Sequence, residues 1–274
     1  MASYDQIAKN NWRYRISLGK NAETGKYEYI SKTGFKRKSD AKHQAEMIER
    51  QLRNGEYIPP SSSTFKQVAD EWIKQYANDV KVSSVRAREK SIQHAIERFN
   101  TKPIQTIKKH DYQRFVDDMS AQYSKNYVDS IVASTNMIFK YANDMRLIKA
   151  MPSEGIKLPK KKVSVEELED IEIHKKFLEK DELFQFLEVA KYHHSPQNSF
   201  EVFTTLAYTG MRAGELLALK WSDIDFDNNT ISITKTYFNP TNHKKKYQLL
   251  PPKTESSVGK ISVDHNVIEM LKDY

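Results

Sequence analysis

The feature that most constrains this chain is a change of hydrophobic period. In Trp12-Arg13-Tyr14-Arg15-Ile16-Ser17-Leu18 apolar and polar residues alternate strictly, which places Trp12, Tyr14, Ile16 and Leu18 on one face of a strand and Arg13, Arg15 and Ser17 on the other. Beyond Pro59-Pro60-Ser61-Ser62-Ser63 the apolar residues recur every three or four positions, the period of amphipathic helices. The proline-serine stretch reads as a linker. A second connector, 151–176, holds Pro152, Pro159, the run Lys160-Lys161-Lys162 and an acidic stretch from Glu166 to Glu172, and sustains neither period.

The pattern predicts a multidomain α+β chain. Residues 1–58 read as a small three-stranded sheet plus helix, with strands at 12–18 and 27–31 and a third opening at Gly34. Asn21 to Gly25 forms a turn, and Ser39 caps a helix that buries Ala41, Ala45, Ile48 and Leu52. Residues 64–150 read as a four-helix bundle that opens on a Thr64–Gln67 capping box. In 177–274 a helix over 179–190 is followed by a buried helix over 200–208, a break at Gly210, and a helix opened by Arg212. Strands at 230–234 and 260–263 flank a basic hairpin or loop, and a helix over 266–271 follows.

Charge narrows the partner. Lys plus Arg number 44 against 36 Asp plus Glu, and the excess is concentrated. Residues 1–60 hold 12 Lys/Arg against 7 Asp/Glu, and residues 235–260 hold 6 Lys against one Glu. Such clusters attract nucleic-acid phosphates through counterion release. The outer face of the first sheet, with Arg13, Arg15, Lys36, Arg37 and Lys38, fits a major groove, although a solvated strand face has the same pattern. The polar helix starts, with Ser84 and Arg86 and with Lys125 and Asn126, are N-capped sites open to phosphate. Lys160, Lys161 and Lys235 are further phosphate contacts. With no cysteine, disulfides and thiolate zinc sites are excluded, which fits a reducing cytoplasm. No apolar run approaches the roughly 20 residues of a membrane span, and the first residues lack the apolar run of a secretory signal.

One segment carries chemistry. In Thr209-Gly210-Met211-Arg212-Ala213-Gly214-Glu215 the arginine opens a helix and the glutamate sits three residues on, hence on the same face. A guanidinium there can fork two N–H groups onto a phosphate while the carboxylate steadies it. By spacing alone, an exposed ion pair stabilising by well under about 1 kcal/mol is the simpler reading.

The longer stretch Ala207 to Leu219, followed by Trp221-Ser222-Asp223-Ile224, resembles the first catalytic box of the tyrosine recombinases, or phage-type integrases. The domain order is similar to integrases of temperate phages and conjugative transposons: an arm-binding sheet-plus-helix domain, a helical core-binding domain, then a mainly α catalytic domain with a β-hairpin. The resemblance implies that Arg212 binds the scissile phosphate and Glu215 supports the site. It implies a catalytic lysine in Pro252-Lys253-Thr254-Glu255-Ser256-Ser257, where Lys253 would protonate the leaving 5′-oxygen; Lys235 and Lys260 are alternatives, and phosphate contact without proton transfer is a further one.

The family's second box, His-x-x-Arg, and its nucleophilic tyrosine are not found. Ile268 stands where an arginine would follow His265, Tyr274 reads as incidental, and His193 and His194 read as surface residues. The expectation is a C-terminally truncated integrase with a partial catalytic domain that binds double-stranded DNA at arm-type and core-type sites without cleaving it. The intact enzyme would cut and rejoin strands through a phosphotyrosine link, with no metal and no nucleotide. It would self-associate on DNA as a tetramer and use accessory directionality or DNA-bending proteins. Two other readings remain: a non-catalytic competitor, repressor or architectural factor, and a first sheet that acts as an independent DNA-binding domain.

Overall fold

The structure is a computed structural model that describes residues 2–22, 24–159, 177–192, 198–243, 245–254 and 257–274. Its contacts divide the chain into two compact units, Met1–Lys162 and Val163–Tyr274.

The first unit opens with an antiparallel sheet in the order β1 (Ala2–Ala8), β2 (Asn11–Lys20), β3 (Tyr27–Phe35). Tyr14 and Ile16 of β2 are each 2% exposed and pack with Ala45, Ile48 and Leu52 of helix α1 (Lys38–Arg53). The sheet has the expected three strands, but two of them differ from the sequence reading. β1 was not foreseen, because only Ala2 and Tyr4 turn inward and Ile7 is exposed, an alternation too short to register. The segment at 27–31 and Gly34-Phe35 belong to one strand, which ends at Phe35, so Lys36 and Arg37 lead into α1 and Lys38 opens it instead of lying on the sheet. Trp12 pairs with Phe35 and Tyr14 with Lys32, so Thr33 and Gly34 together face Arg13 in a bulge. Gly34, at φ +98°, supplies the left-handed residue the bulge needs. Ser39 is not the cap of α1: Arg37 holds that position, with no side-chain hydrogen bond to the helix.

The helical part comprises α2 (Phe65–Asp79), α3 (Val82–Phe99), α4 (Lys109–Gln122) and α5 (Lys125–Asp144). Phe65, Phe99, Tyr112, Phe115 and Phe139 meet at its centre, with ring centroids 5.2–6.5 Å apart in tilted or edge arrangements. Burying each such ring stabilises by roughly 1.5–3 kcal/mol. The Thr64–Gln67 capping box forms as expected. The two other cap positions expected from sequence carry no side-chain cap bond: α3 starts after Lys81 and α5 after Ser124. Both serines of Ser83-Ser84 lie inside the first turn of α3.

The two connectors are held more firmly than their composition suggests. Gln105 Nε2 donates to the Pro59 carbonyl at 2.9 Å and the Leu147 carbonyl at 2.8 Å, and its Oε1 accepts from Ser61 N at 3.1 Å. Gln113 does the same for the second, giving 2.8 Å to the Lys157 carbonyl and taking 2.9 Å from Lys157 N. Pro152 and Ser153 are buried. Residues 152–158 therefore run along the bundle, while Lys160, Lys161 and the acidic stretch lie outside the described residues.

The second unit comprises α6 (Lys180–Tyr192), α7 (Ser199–Thr209), α8 (Ala213–Leu216), β4 (Ile224–Asp225), β5 (Thr230–Ile233), β6 (Thr236–Phe238), β7 (Gln248–Leu250), β8 (Gly259–Ser262) and α9 (His265–Asp273). The strands form a sheet β4-β5-β8 and a separate hairpin β6-β7. Met211, Ile231, Ile233, Val263, Val267 and Ile268 make its core. α7 is not the buried helix expected: Phe203 and Tyr208 are exposed while Thr204 and Thr205 are buried. Apolar composition on every side of a helix leaves its buried face unspecified. Thr205 joins that face by returning its hydroxyl to the Glu201 carbonyl at 2.7 Å.

Candidate active site

Gly210 ends α7 in the left-handed region at φ +64°, its N–H on the Leu206 carbonyl at 3.0 Å. This conformation is cheap only for glycine. Met211 then enters the core at 7% exposure. The next side chain must point the other way, so Arg212 emerges at the start of α8 with φ −73° and ψ 147°.

Its pairing with Glu215 is not an ordinary surface ion pair. Glu215 is 5% exposed whereas the Arg212 side chain is 61% exposed. Glu215 Oε2 accepts from Arg212 N at 2.9 Å and Oε1 accepts from Arg212 Nη1 at 2.8 Å. Each carboxylate oxygen is thus satisfied by the same residue, which lets a buried charge persist. Arg212 Nη1 also donates to Ser257 Oγ at 3.1 Å. Ser257 Oγ lies 2.8 Å from Thr254 Oγ1, and Ser257 N donates to the Thr254 carbonyl at 3.0 Å. Among the described residues both bonds of the guanidinium run through Nη1, and a guanidinium's Nε and Nη2 make a fork suited to a phosphate.

Ser257 also ties the loop of Lys253 to Arg212. Pro252 is buried and Lys253 exposed, so the lysine projects between a buried anchor and the hydrogen-bonded pair Thr254 and Ser257. Sequence reasoning missed Ser257, although its place four residues after Lys253 in the quoted segment was the available signal. A methyl group at Gly214 would lie 2.6 Å from Thr236 Oγ1 and 3.3 Å from the Tyr237 carbonyl. The absence of a side chain there lets β6 run against α8.

Lys235 is placed differently from expectation. Its Nζ lies 2.5 Å from Asp223 Oδ2, and the two side chains are 19% and 14% exposed. Burial pushes the Asp223 carboxyl up, but the bonds from Lys235 and the Lys220 N–H, with both lysine charges, outweigh it and hold it below the usual carboxylate range. Lys235 is therefore paired with a carboxylate of its own unit. Lys260 is exposed on β8 opposite Ser232. Asn198 Nδ2 donates to the Tyr274 hydroxyl, and the Tyr274 ring lies 6.1 Å from Trp221; none of these partners belongs to the Arg212 cluster. His265 is exposed, and His193 and His194 lie outside the described residues.

In the first sheet Arg15 projects from the outer face with its guanidinium 4.9 Å from the Tyr29 ring centroid. Arg13 shares that face but is paired with Asp5 at 2.9 Å. Lys36 and Arg37 are exposed, and Lys38 sits 5.7 Å from the Trp12 ring. Tyr27 and Tyr29, 58% and 47% exposed, were overlooked. Their i, i+2 spacing beside the basic strand was the readable signal. Ser84, Lys125 and Asn126 are exposed in the first turns of α3 and α5, and Arg86 is half-buried.

Comparison with known proteins agrees with this architecture. The family model described as "Arm DNA-binding domain" matches residues 3–52, "Phage integrase, N-terminal SAM-like domain" matches 64–120, and "Phage integrase family" matches 176–267. The chain is 28% identical over 264 residues to "Prophage ps2 probable integrase" of Lactococcus lactis subsp. lactis (strain IL1403), covering 95% of this chain and 66% of that protein. It is 26% identical over 248 residues to "Integrase" of Staphylococcus phage L54a, covering 83% and 67%. The chain thus spans about two thirds of the length of these relatives. Among solved structures, the Tn1549 transposon integrase in complex with a circular intermediate DNA superposes with a TM-score of 0.62 at 23% identity, over 77% of this chain and 65% of that one. A lambda integrase tetramer bound to a Holliday junction gives 0.54 at 16% identity, over 98% and 71%. At these identities the two structures speak for the fold. With three integrase family models matched in order along its length, the chain belongs to the phage integrase family of tyrosine recombinases.

Proposed function

We propose that this chain carries the DNA-binding lobes and the first part of the active site of a site-specific DNA recombinase. Residues 1–58 bind arm-type sites, residues 64–150 bind core-type sites, and residues 177–274 hold a phosphate between Arg212 and Lys253. The observation that carries this reading is the Arg212 guanidinium, anchored from behind by buried Glu215 and from the side by Ser257. A cation fixed in this way meets developing phosphate charge without reorganising. Lys253 protonates the leaving oxygen. The complexes that two relatives form with DNA support a duplex partner, and among the described residues no helix is long and apolar enough to cross a membrane. The place of action is the cytoplasm, and the intact recombinase self-associates on DNA with accessory DNA-bending or directionality proteins.

The 274 residues contain no His-x-x-Arg, which favours a second reading for the chain acting by itself. It occupies arm and core sites without cutting them, as a competitor, repressor or architectural factor. A nicked suicide duplex carrying a core site chosen from a random pool separates the two. We expect a gel shift and no covalent protein–DNA adduct; an adduct would make a residue of this chain the nucleophile and overturn the non-cleaving reading. Removing residues 1–60 is expected to abolish binding to one class of selected sites and leave the other, and loss of both would sink the division into two DNA-binding lobes.

A further inference from the structure

The ion pair between Asp223 and Lys235 lies outside the Arg212–Glu215–Ser257 cluster, one residue from a strand that borders it. Asp223 closes the short turn Trp221–Asp223 and Lys235 lies between β5 and β6. Asp223 Oδ2 accepts from Lys235 Nζ at 2.5 Å and from Lys220 N at 2.8 Å. Removing either partner of a pair this enclosed leaves a charge without compensation, so the contact resists opening.

The residue after Lys235 is Thr236, the first of β6. Thr236 abuts Gly214, whose absent Cβ would fall 2.6 Å from its Oγ1, and Gly214 immediately precedes Glu215, the anchor of Arg212. Thr236 also pairs in register with Leu250, three residues before Lys253. One strand end therefore borders both halves of the site. We infer that the Asp223–Lys235 pair is a positioning device that seats β6 against α8 and so keeps Arg212 and the Lys253 loop in one register. Lys235 then contributes to phosphate binding through Arg212 without touching the phosphate. This inference rests on the proposed function of Arg212.

A double-mutant cycle on the full chain tests it, reading affinity for a short duplex of fixed sequence as a function of salt. Lys235→Met is expected to weaken binding about fivefold when Arg212 is present, a coupling typical of residues sharing a network. In the Arg212→Ala background it is expected to change nothing. Lys235→Arg, which keeps the charge, is expected to restore most of the loss. A direct phosphate contact would instead be additive with Arg212→Ala and lower the salt slope by about one in both backgrounds; that result overturns the positioning role and leaves the Arg212 reading intact. If Arg212→Ala alone leaves affinity unchanged, the phosphate-site reading falls and this inference with it. Should Lys235→Met fail to fold by circular dichroism, Asp223→Asn, which preserves volume, takes its place in the same cycle with the same expectations.

Discussion

Glu215 is buried, yet both of its carboxylate oxygens are satisfied by one exposed residue, Arg212, through backbone N–H and guanidinium at 2.9 and 2.8 Å. The carboxylate is at once the cap of α8 and the brace of the cation. Glu215→Ala is therefore expected to reduce stability by about 1–3 kcal/mol, because a cap and a charge-assisted bond disappear together. The same variant should weaken DNA binding beyond what the stability loss explains. Thermal unfolding beside duplex affinity checks this, and a loss of stability with DNA affinity intact would show that Glu215 does not brace a phosphate-binding arginine.

Gly214 offers a test of the approach between β6 and α8. At most helical sites Gly→Ala stabilises. Here the new methyl meets Thr236 Oγ1 at 2.6 Å and the Tyr237 carbonyl at 3.3 Å, and overpacking of this kind costs about 1–3 kcal/mol. Gly214→Ala should lower the unfolding midpoint, and adding Thr236→Ala should recover part of it by removing the closer atom. A Gly214→Ala variant as stable as the parent would mean that the strand is free to retreat.

The pH dependence of the helical bundle should carry the signature of Asp111. Its carboxyl is held down at about 2, from 3.8, by the bond from Lys108 N–H, then by Lys102 Nζ and by nearby positive charge. A folded-state pKa below the unfolded one gives stability that is present above pH 3.8 and is lost as pH falls toward about 2. Asp111→Asn should remove that portion of the acid sensitivity. Denaturant unfolding of both proteins across this window is the measurement, and parallel pH profiles would contradict the assignment.

On the first sheet, Asp5 neutralises Arg13 while Arg15 stacks on Tyr29. If the outer face binds duplex DNA, Arg15→Ala should weaken binding and reduce the salt slope by about one, and Asp5→Asn should strengthen binding by freeing Arg13. Titrations at several salt concentrations read both. An Asp5→Asn variant that binds no better would argue that this face points away from the duplex.

The helical bundle was legible because Phe65, Trp72, Ile92, Phe115 and Ile138 repeat with helical period and all serve one core. β1 was not, because its pairing with β2 depends on partners distant in sequence and only Ala2 and Tyr4 mark its inner face. The anchoring of the described connector residues was not legible, because Gln105 and Gln113, polar residues with no sequence signature, hold backbone groups of Pro59 and Lys157. At the site, Arg212, Glu215 and the Lys253 loop were recognised from local motif. Ser257 and the engagement of Lys235 were not, since both depend on contacts across 45 and 12 residues of chain.

Whether Arg212 holds a DNA phosphate can be read from phosphate-ethylation interference on a selected core duplex. One phosphate is expected whose neutralisation weakens binding of the wild-type chain and has no effect on Arg212→Ala. An interference pattern identical in the two proteins would contradict that expectation.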